Sequence, residues 1–288
     1  MRRSLKLLLG KVRKVMICPI CPICRQPLAP LGSSLCCENR HGFDIARQGY
    51  VNLLTVSQKH SLHPGDSREM VAARRAFLSA GYYAPIAQRL HALLARYAPR
   101  AQSILDVGCG EGYYLSHVDA PERWGVDISK EAVRYAAARD KGAHWLTATA
   151  THLPFADGSF DCLLSMFALT AQEEFSRVLK PSGLYLRVVA GEGHLLALKR
   201  IIYPTLTHKE APFSPALAGF DLLHREELSF RFTLDTPEMV QNLLYMTPHA
   251  WRISQQGAQA LRQTQTLTDQ AEVIFCLYGR QGAQHLVK

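Results

Sequence analysis

From residue 103 onward the chain alternates short β-rich runs with helix-like stretches, and this alternation restricts its fold more than any other feature. The runs are SILDVG, RWGVD, HWLTAT, DCLLSMF, LYLRVV and VIFCLYG; helix-like spacing occupies Lys130–Arg139, Ala171–Leu179 and His194–Tyr203. Alternating β and α elements predict an α/β fold, a doubly wound sheet that binds ligands at the carboxyl ends of its strands. Directly after the first run comes Asp106-Val-Gly108-Cys-Gly110-Glu-Gly112. Glycines allow positive φ and let the backbone approach a ligand where a Cβ would collide. A helix is expected next, its free N–H groups turned toward an anion. Asp127 closes the second run, WGVDIS, where a carboxylate can accept both hydroxyls of a ribose. The distance from Gly108 to Asp127 also suits a nicotinamide-binding fold, but G-x-G-x-G followed by two tyrosines points elsewhere.

Five of the eight cysteines lie within Cys18–Cys37, in CPICPICRQPLAPLGSSLCCENRHGF. A disulfide framework marks small secreted domains, and nothing here signals export. Cysteines paired at two-residue gaps, with a further Cys and a His, fit a tetrahedral zinc site. Two registers compete. One uses Cys21, Cys24, Cys37 and His41; the other starts from Cys18 and Cys21, with Cys36 competing for the third place. The first is preferred, because the turn at Arg25–Pro27 would aim backbone N–H groups at the sulfurs. Four protein ligands leave no position for water, so the zinc would be structural.

The net charge of +9 is mostly terminal: residues 1–15 hold six basic side chains and no acid. They are expected to be a disordered arm that takes no part in folding, and charge alone says little about partners. Their apolar run is too short for a secretory signal, and no stretch reaches the ~18 apolar residues of a membrane span. A cytoplasmic location follows as the expectation. The division is a basic arm over 1–15, a zinc-binding module over 16–50, a linker and helical segment over 51–100, and the main domain over 101–288. Within 51–100, Asp66 or Ser67 should cap a helix carrying Met70, Ala73, Phe77 and Leu78 on one face, with Gly81 ending it. A second helix is expected from about Pro85 to Tyr97.

ILDVGCGEGYY, GVDIS, LPFADGSFD and LKPSGLYL together resemble the successive motifs of class I S-adenosyl-L-methionine-dependent methyltransferases, over about residues 101–288. The resemblance implies a Rossmann-like sheet in which Asp106, Gly108, Gly110 and Gly112 hold the methionine part of the cofactor and Asp127 its ribose. Thr149 and Ala150 would flank the adenine, with a threonine in place of the common aspartate. Over nearly the whole chain, CPIC…CENRHGFD, GYVNLL, PGDSREMVAARRAFLSAGYY and MTPHAWR are similar to bacterial 23S rRNA (guanine-N1)-methyltransferases. That family carries an N-terminal zinc site and methylates a guanine, of the position-745 type, in a hairpin loop of large-subunit rRNA domain II. The resemblance implies Cys21, Cys24, Cys37 and His41 as zinc ligands, and Tyr83, Tyr114, Leu115 and His194 near the cofactor. It implies a 23S rRNA hairpin as partner and no membrane, and leaves a homodimer open.

Each of these residues also has a plainer reading. Tyr83 would pack under the first strand, Tyr114 would be core, and His194 would cap its helix. Cys109, Cys162 and Cys276 would be buried thiols, and Arg74–Arg75 is either a solvated face or a phosphate contact. The chain departs from the family at Ala168-Leu169, Ser182 and Glu192-Gly193, the last replacing a common Pro-Arg pair. No residue is identified as the catalytic base. Phe167, Tyr83 and Trp251 are the aromatic residues on which a splayed-out base could stack. A small-molecule (quinone- or metabolite-type) methyltransferase is the alternative function, and a catalytically weak RNA-binding protein a third.

Overall fold

The computed structural model describes residues 17–59, 64–203, 205 and 213–282; the basic arm expected over 1–15 lies outside the described residues. The amino-terminal part holds three short strands, β1 (Ala29–Leu31), β2 (Ser34–Cys36) and β3 (Gly42–Asp44), paired antiparallel in that order. A fourth strand, β4 (Tyr50–Asn52), belongs to the main sheet.

Helix α1 (Arg68–Ser79) begins where Ser67 accepts a hydrogen bond from the Met70 N–H, and the chain leaves it through Gly81 at φ +86°. Capping of this kind satisfies one of the free donors of a first helical turn. Met70, Val71, Ala73, Phe77 and Leu78 form its buried face. Helix α2 (Ala84–Tyr97) follows, with Pro85 in its first turn, where a missing N–H is harmless.

The alternating region gives β5 (Ser103–Val107), β6 (Glu122–Asp127), α3 (Lys130–Arg139), β7 (His144–Thr147), β8 (Phe160–Met166), α4 (Gln172–Val178), β9 (Leu179–Ala190) and α5 (Leu196–Ile202). It closes with β10 (Phe220–Leu234), α6 (Pro237–Tyr245), α7 (Gln255–Gln263) and β11 (Leu267–Arg280). The sheet order is β10-β11-β9-β8-β5-β6-β7-β4. Strands from β4 to β9 run parallel; β11 lies antiparallel to β9, and β10 antiparallel to β11. Because β11 runs backwards, its first residues lie at the same sheet end as the last residues of β5, β6, β8 and β9.

Side chains alternate between the two faces of the sheet, as a pleated strand requires. Ile104, Leu164, Leu186 and Phe275 enter one core with Phe77, Tyr83, Ile86 and Leu90 from α1 and α2. Leu105, Leu163, Tyr185 and Ile274 enter the other, together with Phe155, Phe160 and Phe175. Cys21, Leu28 and Cys37 join this second core, and the Ile20 N–H donates to the Pro154 carbonyl at 2.8 Å. The cysteine-rich segment is therefore built against the sheet. Cys109, Cys162 and Cys276 are buried thiols, as expected.

One expectation changes. No α-helix follows the glycine loop; turns and a 3-10 turn at Leu115–His117 stand there instead. Only residues 113–121 separate Gly112 from β6, too few for a helix and a return to the sheet. The strand β10 and the helices α6 and α7 were not evident from sequence. HREELSFRF along β10 is charged because it is the outer strand of the sheet and alternates its exposure.

Candidate functional site

Near the amino terminus, two knuckles face one another. Cys21 to Cys24 turns back through Arg25 at φ +61°, and Cys37 to His41 through Arg40 at φ +62°. The Arg25 N–H donates to the Cys21 carbonyl at 2.8 Å, and the Arg40 N–H to the Cys37 carbonyl at 2.9 Å. The ligand atoms of Cys21, Cys24, Cys37 and His41 all lie within 4.8 Å of one another. Cys24 Sγ to Cys37 Sγ is 3.6 Å, Cys21 Sγ to His41 Nδ1 3.6 Å, and Cys37 Sγ to His41 Nδ1 3.4 Å. Such edges suit a tetrahedron around an ion about 2.0–2.3 Å from each ligand. The Gln26 N–H directed at Cys24 brings that thiol down to about 6, toward the thiolate that binds metal. Cys18 is exposed, and neither it nor Cys36 belongs to the group. The donors fit zinc, in the first of the two registers.

At the carboxyl ends of β5 and β6, the glycine loop and two aspartates form a second centre. The Gly108 and Cys109 N–H groups both donate to the Val126 carbonyl, drawing the loop across β6. A Cβ on Gly108 would fall 2.4 Å from Ala168 Cβ, so only glycine lets this loop pass the turn after β8. Asp127 Oδ2 accepts the Gly110 N–H and Oδ1 the Ser129 N–H, each at 2.8 Å. Each oxygen keeps a second lone pair for a hydroxyl. Asp106 is 1% exposed, and neither of its carboxylate oxygens has a hydrogen-bond partner. Burial, with the Asp127 charge nearby, pushes its carboxyl up to about 8. An unpartnered buried carboxyl beside a glycine cradle fits a ligand that brings its own cationic donor, such as the ammonium of a methionine moiety. Thr149 and Ala150, half-buried, follow β7 alongside Asp127, whose carbonyl accepts the Ala148 N–H.

The start of α1 covers this centre. The Asp66 carbonyl accepts the Ser129 hydroxyl at 2.9 Å. Arg74 pairs with the Asp66 carboxylate and donates to the Met246 carbonyl, and its guanidinium lies 3.8 Å from where a Gly110 Cβ would stand. Arg74 is thus a clamp between α1 and the MTPHAW segment rather than a solvated face. Arg75 lies over the Tyr135 ring.

Aromatic residues complete the pocket end. Tyr83, Phe167 and His194 have ring centroids 6.0–6.4 Å apart, and Tyr114 lies 6.4 Å from Phe167. Tyr83 is 2% exposed and Phe167 39%, the latter held at φ +55°. His194 Nδ1 accepts the Glu272 N–H at 3.2 Å, so the neutral ring carries its proton on Nε2, toward the Tyr83 hydroxyl 3.2 Å away. Burial, reinforced by the Lys199 charge, holds this histidine down at about 4. His194 makes no helix cap; α5 starts after Leu195. Leu115 is fully buried in the core below. Trp251 stands 73% exposed on the segment that Arg74 anchors.

Two further features were missed in the sequence. Glu272 reaches over Gly191 and Gly193, accepting the Gly193 N–H at 2.9 Å. Nearby, a cavity of about 180 Å³ is lined by Gly193, Thr268 and Gln270 and by the exposed arginines Arg200 and Arg231. These residues converge only through the pairing of β9, β10 and β11, which no local spacing announces.

Comparison with known proteins gives two family matches. A zinc-ribbon family described as RlmA, N-terminal, matches residues 19–62, and a methyltransferase domain matches residues 105–187. The 23S rRNA (guanine(748)-N(1))-methyltransferase of Streptomyces fradiae is 36% identical over 77% of this chain and 83% of its own length. A putative 23S rRNA (guanine-N(1)-)-methyltransferase of Bacillus subtilis, YxjB, is 32% identical with the same coverage. A third, from Micromonospora griseorubida, is 40% identical over 57% of this chain and 61% of its own.

Proposed function

Because the chain belongs to the family of 23S rRNA (guanine-N1)-methyltransferases, we propose that it methylates N1 of a hairpin-loop guanine in rRNA domain II, the guanine of the position-745 type. It is an S-adenosylmethionine-dependent methyltransferase with a structural zinc. The observation that carries the reading is the union in one chain of the four-ligand knuckle, within the zinc-ribbon match, with the Asp106–Gly112 cradle, within the methyltransferase-domain match. A small-molecule methyltransferase has no use for the knuckle. Modification of rRNA supports a cytoplasmic location. No helix among the described residues is long and apolar enough to cross a membrane.

S-Adenosylmethionine, when bound, supplies a methyl group on a sulfonium, already activated toward a nucleophile. The chain's own residues position and exclude. Asp106 offers its buried carboxylate to the methionine ammonium, and Asp127 its remaining lone pairs to the ribose hydroxyls. The turn at Thr149 and Ala150 flanks the adenine. Tyr83, Tyr114, Phe167 and His194 wall the pocket where the methyl group and the base must meet. Guanine N1 lies on the Watson–Crick edge, so the base must be unpaired and splayed out of its stack. Phe167 and Trp251 expose the ring surface on which such a base stacks, whereas Tyr83 is too deeply buried. Arg200 and Arg231, exposed around the cavity at Gly193, offer two cations to the RNA backbone.

Methylation at N1 blocks base pairing, so a copying polymerase halts one nucleotide before the mark. Reverse transcription of large-subunit rRNA treated with protein and cofactor should give one new stop before the position-745-type guanine, absent with Asp106→Ala. A stop before the guanine named in the Streptomyces relative moves the site within the rRNA; methyl transfer to a small quinol, with no stop, overturns the function.

A further inference from the structure

Cations stand on both sides of the cofactor centre. In the sheet order β10-β11-β9-β8-β5-β6, Arg231 and the cavity it shares with Arg200 lie toward β10. Asp106 and Phe167 stand at β5 and after β8, and α3 follows β6 on the far side. There α1 and α3 run side by side in the same direction. The Ser129 hydroxyl donates to the Asp66 carbonyl where both begin, and Arg139 donates to the Ser79 hydroxyl at 3.3 Å where both end. Along this pair Arg68, Arg75 and Lys130 are exposed, and Arg134 and Arg139 are half-buried.

Rings hold these side chains more than carboxylates do. Arg75 from α1 and Arg134 from α3 both lie over the Tyr135 ring, 5.0 and 4.8 Å from its centroid. Arg139 lies over the Tyr113 ring at 5.6 Å. Acids are few here. Glu131 serves two arginines, Arg134 at 2.9 Å and Arg68 at 3.8 Å. Glu111 pairs with Arg139 at 2.7 Å but is itself buried, and Glu69 accepts from the Ser67 hydroxyl. Arg75 makes no hydrogen bond or ion pair among the described residues. A guanidinium held by a ring keeps its charge uncompensated and its N–H donors available. Two that share one ring lie within about a Debye length, ~10 Å at 0.1 M salt, so they repel until an anion joins them. The 12 residues of α1 make this stripe about 18 Å long.

We propose that the α1–α3 stripe binds the phosphate backbone of the target RNA, on the side of the pocket opposite Arg200 and Arg231; this rests on the rRNA reading above. Phosphate suits the stripe chemically. A guanidinium offers two parallel N–H donors to one phosphate, and a phosphate entering beside Arg75 and Arg134 removes their repulsion. The stripe begins where the loop before α1 covers Ser129 and Asp127, so RNA lying on it reaches the cofactor centre without a gap. Contacts to phosphate fix register and orientation but carry no base sequence. The stripe therefore positions the RNA, and the choice of guanine is left to the pocket.

The test measures binding of an rRNA hairpin to the full chain across a salt series. Arg75→Gln and Lys130→Gln should each lower the slope of log affinity against log salt by roughly 0.7–0.9. Arg75→Lys, which keeps the charge, should restore the slope. The losses should be equal on hairpins of different loop sequence, as backbone contacts require. Glu131→Gln releases Arg68 and Arg134 and should bind roughly twofold tighter or more, which loss of a merely structural residue would not give. S-Adenosylmethionine affinity by calorimetry should stay within about twofold in every variant, showing the fold intact. Unchanged slopes in both glutamine variants, while wild type still methylates a guanine N1, overturn the stripe alone. Weakened binding to phosphatidylserine vesicles with an unchanged slope on RNA overturns it too, in favour of a lipid surface. A wild type that leaves every guanine N1 of rRNA unmodified overturns both readings.

Discussion

Gly65 lies so close to Ser129 that a Cβ on the glycine would fall 2.8 Å from Ser129 Cβ and 2.9 Å from its backbone nitrogen. The loop before α1 is thereby pressed onto the first turn of α3, beside the Asp127 carboxylate that Ser129 also contacts. Gly65 adopts φ +82°, so a side chain there meets both a collision and an unfavourable backbone. Gly65→Ala should weaken S-adenosylmethionine binding about tenfold or more and lower stability by roughly 1–3 kcal/mol. Calorimetry and denaturant titration measure the two. Affinity equal to wild type would show that this loop does not cover the cofactor.

Asp106 gives a pH-dependent signature. Folded, it keeps its proton up to about pH 8; unfolded, it ionises near 3.8. Between those values the unfolded chain gives up a proton that the folded chain retains. Stability from this group is therefore full below 3.8 and is lost as pH rises through 8. Asp106→Asn removes that loss. Without cofactor, the variant should be more resistant to urea than wild type at pH 8 by roughly 2–4 kcal/mol relative to the difference at pH 4. It should bind S-adenosylmethionine at least 100-fold more weakly. Parallel stability-against-pH curves for the two proteins would refute the burial argument.

The zinc register is decided by metal analysis. Wild type and Cys18→Ala should each hold one zinc per chain, whereas Cys24→Ala and Cys37→Ala should hold none. Retention by Cys24→Ala with loss by Cys18→Ala would reverse the assignment.

Arg200 and Arg231 should act on RNA and not on chemistry. Arg200→Gln and Arg231→Gln should each reduce the slope of log affinity for the hairpin against log salt by roughly 0.7–0.9. The rate at saturating RNA should be unchanged. An unaltered slope would remove these two residues from the RNA path.

Much of this was legible in the sequence where local chemistry repeats at fixed spacing. The cap read as Asp66 or Ser67 falls on Ser67, and the strand of Asp106, the strand end at Asp127 and the preferred cysteine register stand in the structure as read. The illegible parts depend on residues distant in the chain. Glu272 and Gly193 meet only because β11 pairs with β9, about 80 residues of sequence later. The strand β10 was hidden because an outer strand alternates charge with half-burial and so resembles a solvated loop. The missing helix after Gly112 was a matter of length, since the glycine pattern alone promises a helix that residues 113–121 cannot hold.

The pairing of β4 with β7 has a consequence for synthesis on the ribosome. Tyr50–Asn52 emerges more than ninety residues before Trp145–Thr147, its partner in the sheet. Until then β4 is an unpaired strand that can pair with another chain. The cysteine knuckles lie just ahead of it, and all four of their ligands precede it in the chain. Metal capture early in translation, with His41 as its last ligand, anchors the chain nine residues before the first residue of β4 while the sheet is still being made. Zinc scarcity should therefore appear first as aggregated nascent enzyme, and only afterwards as slow enzyme.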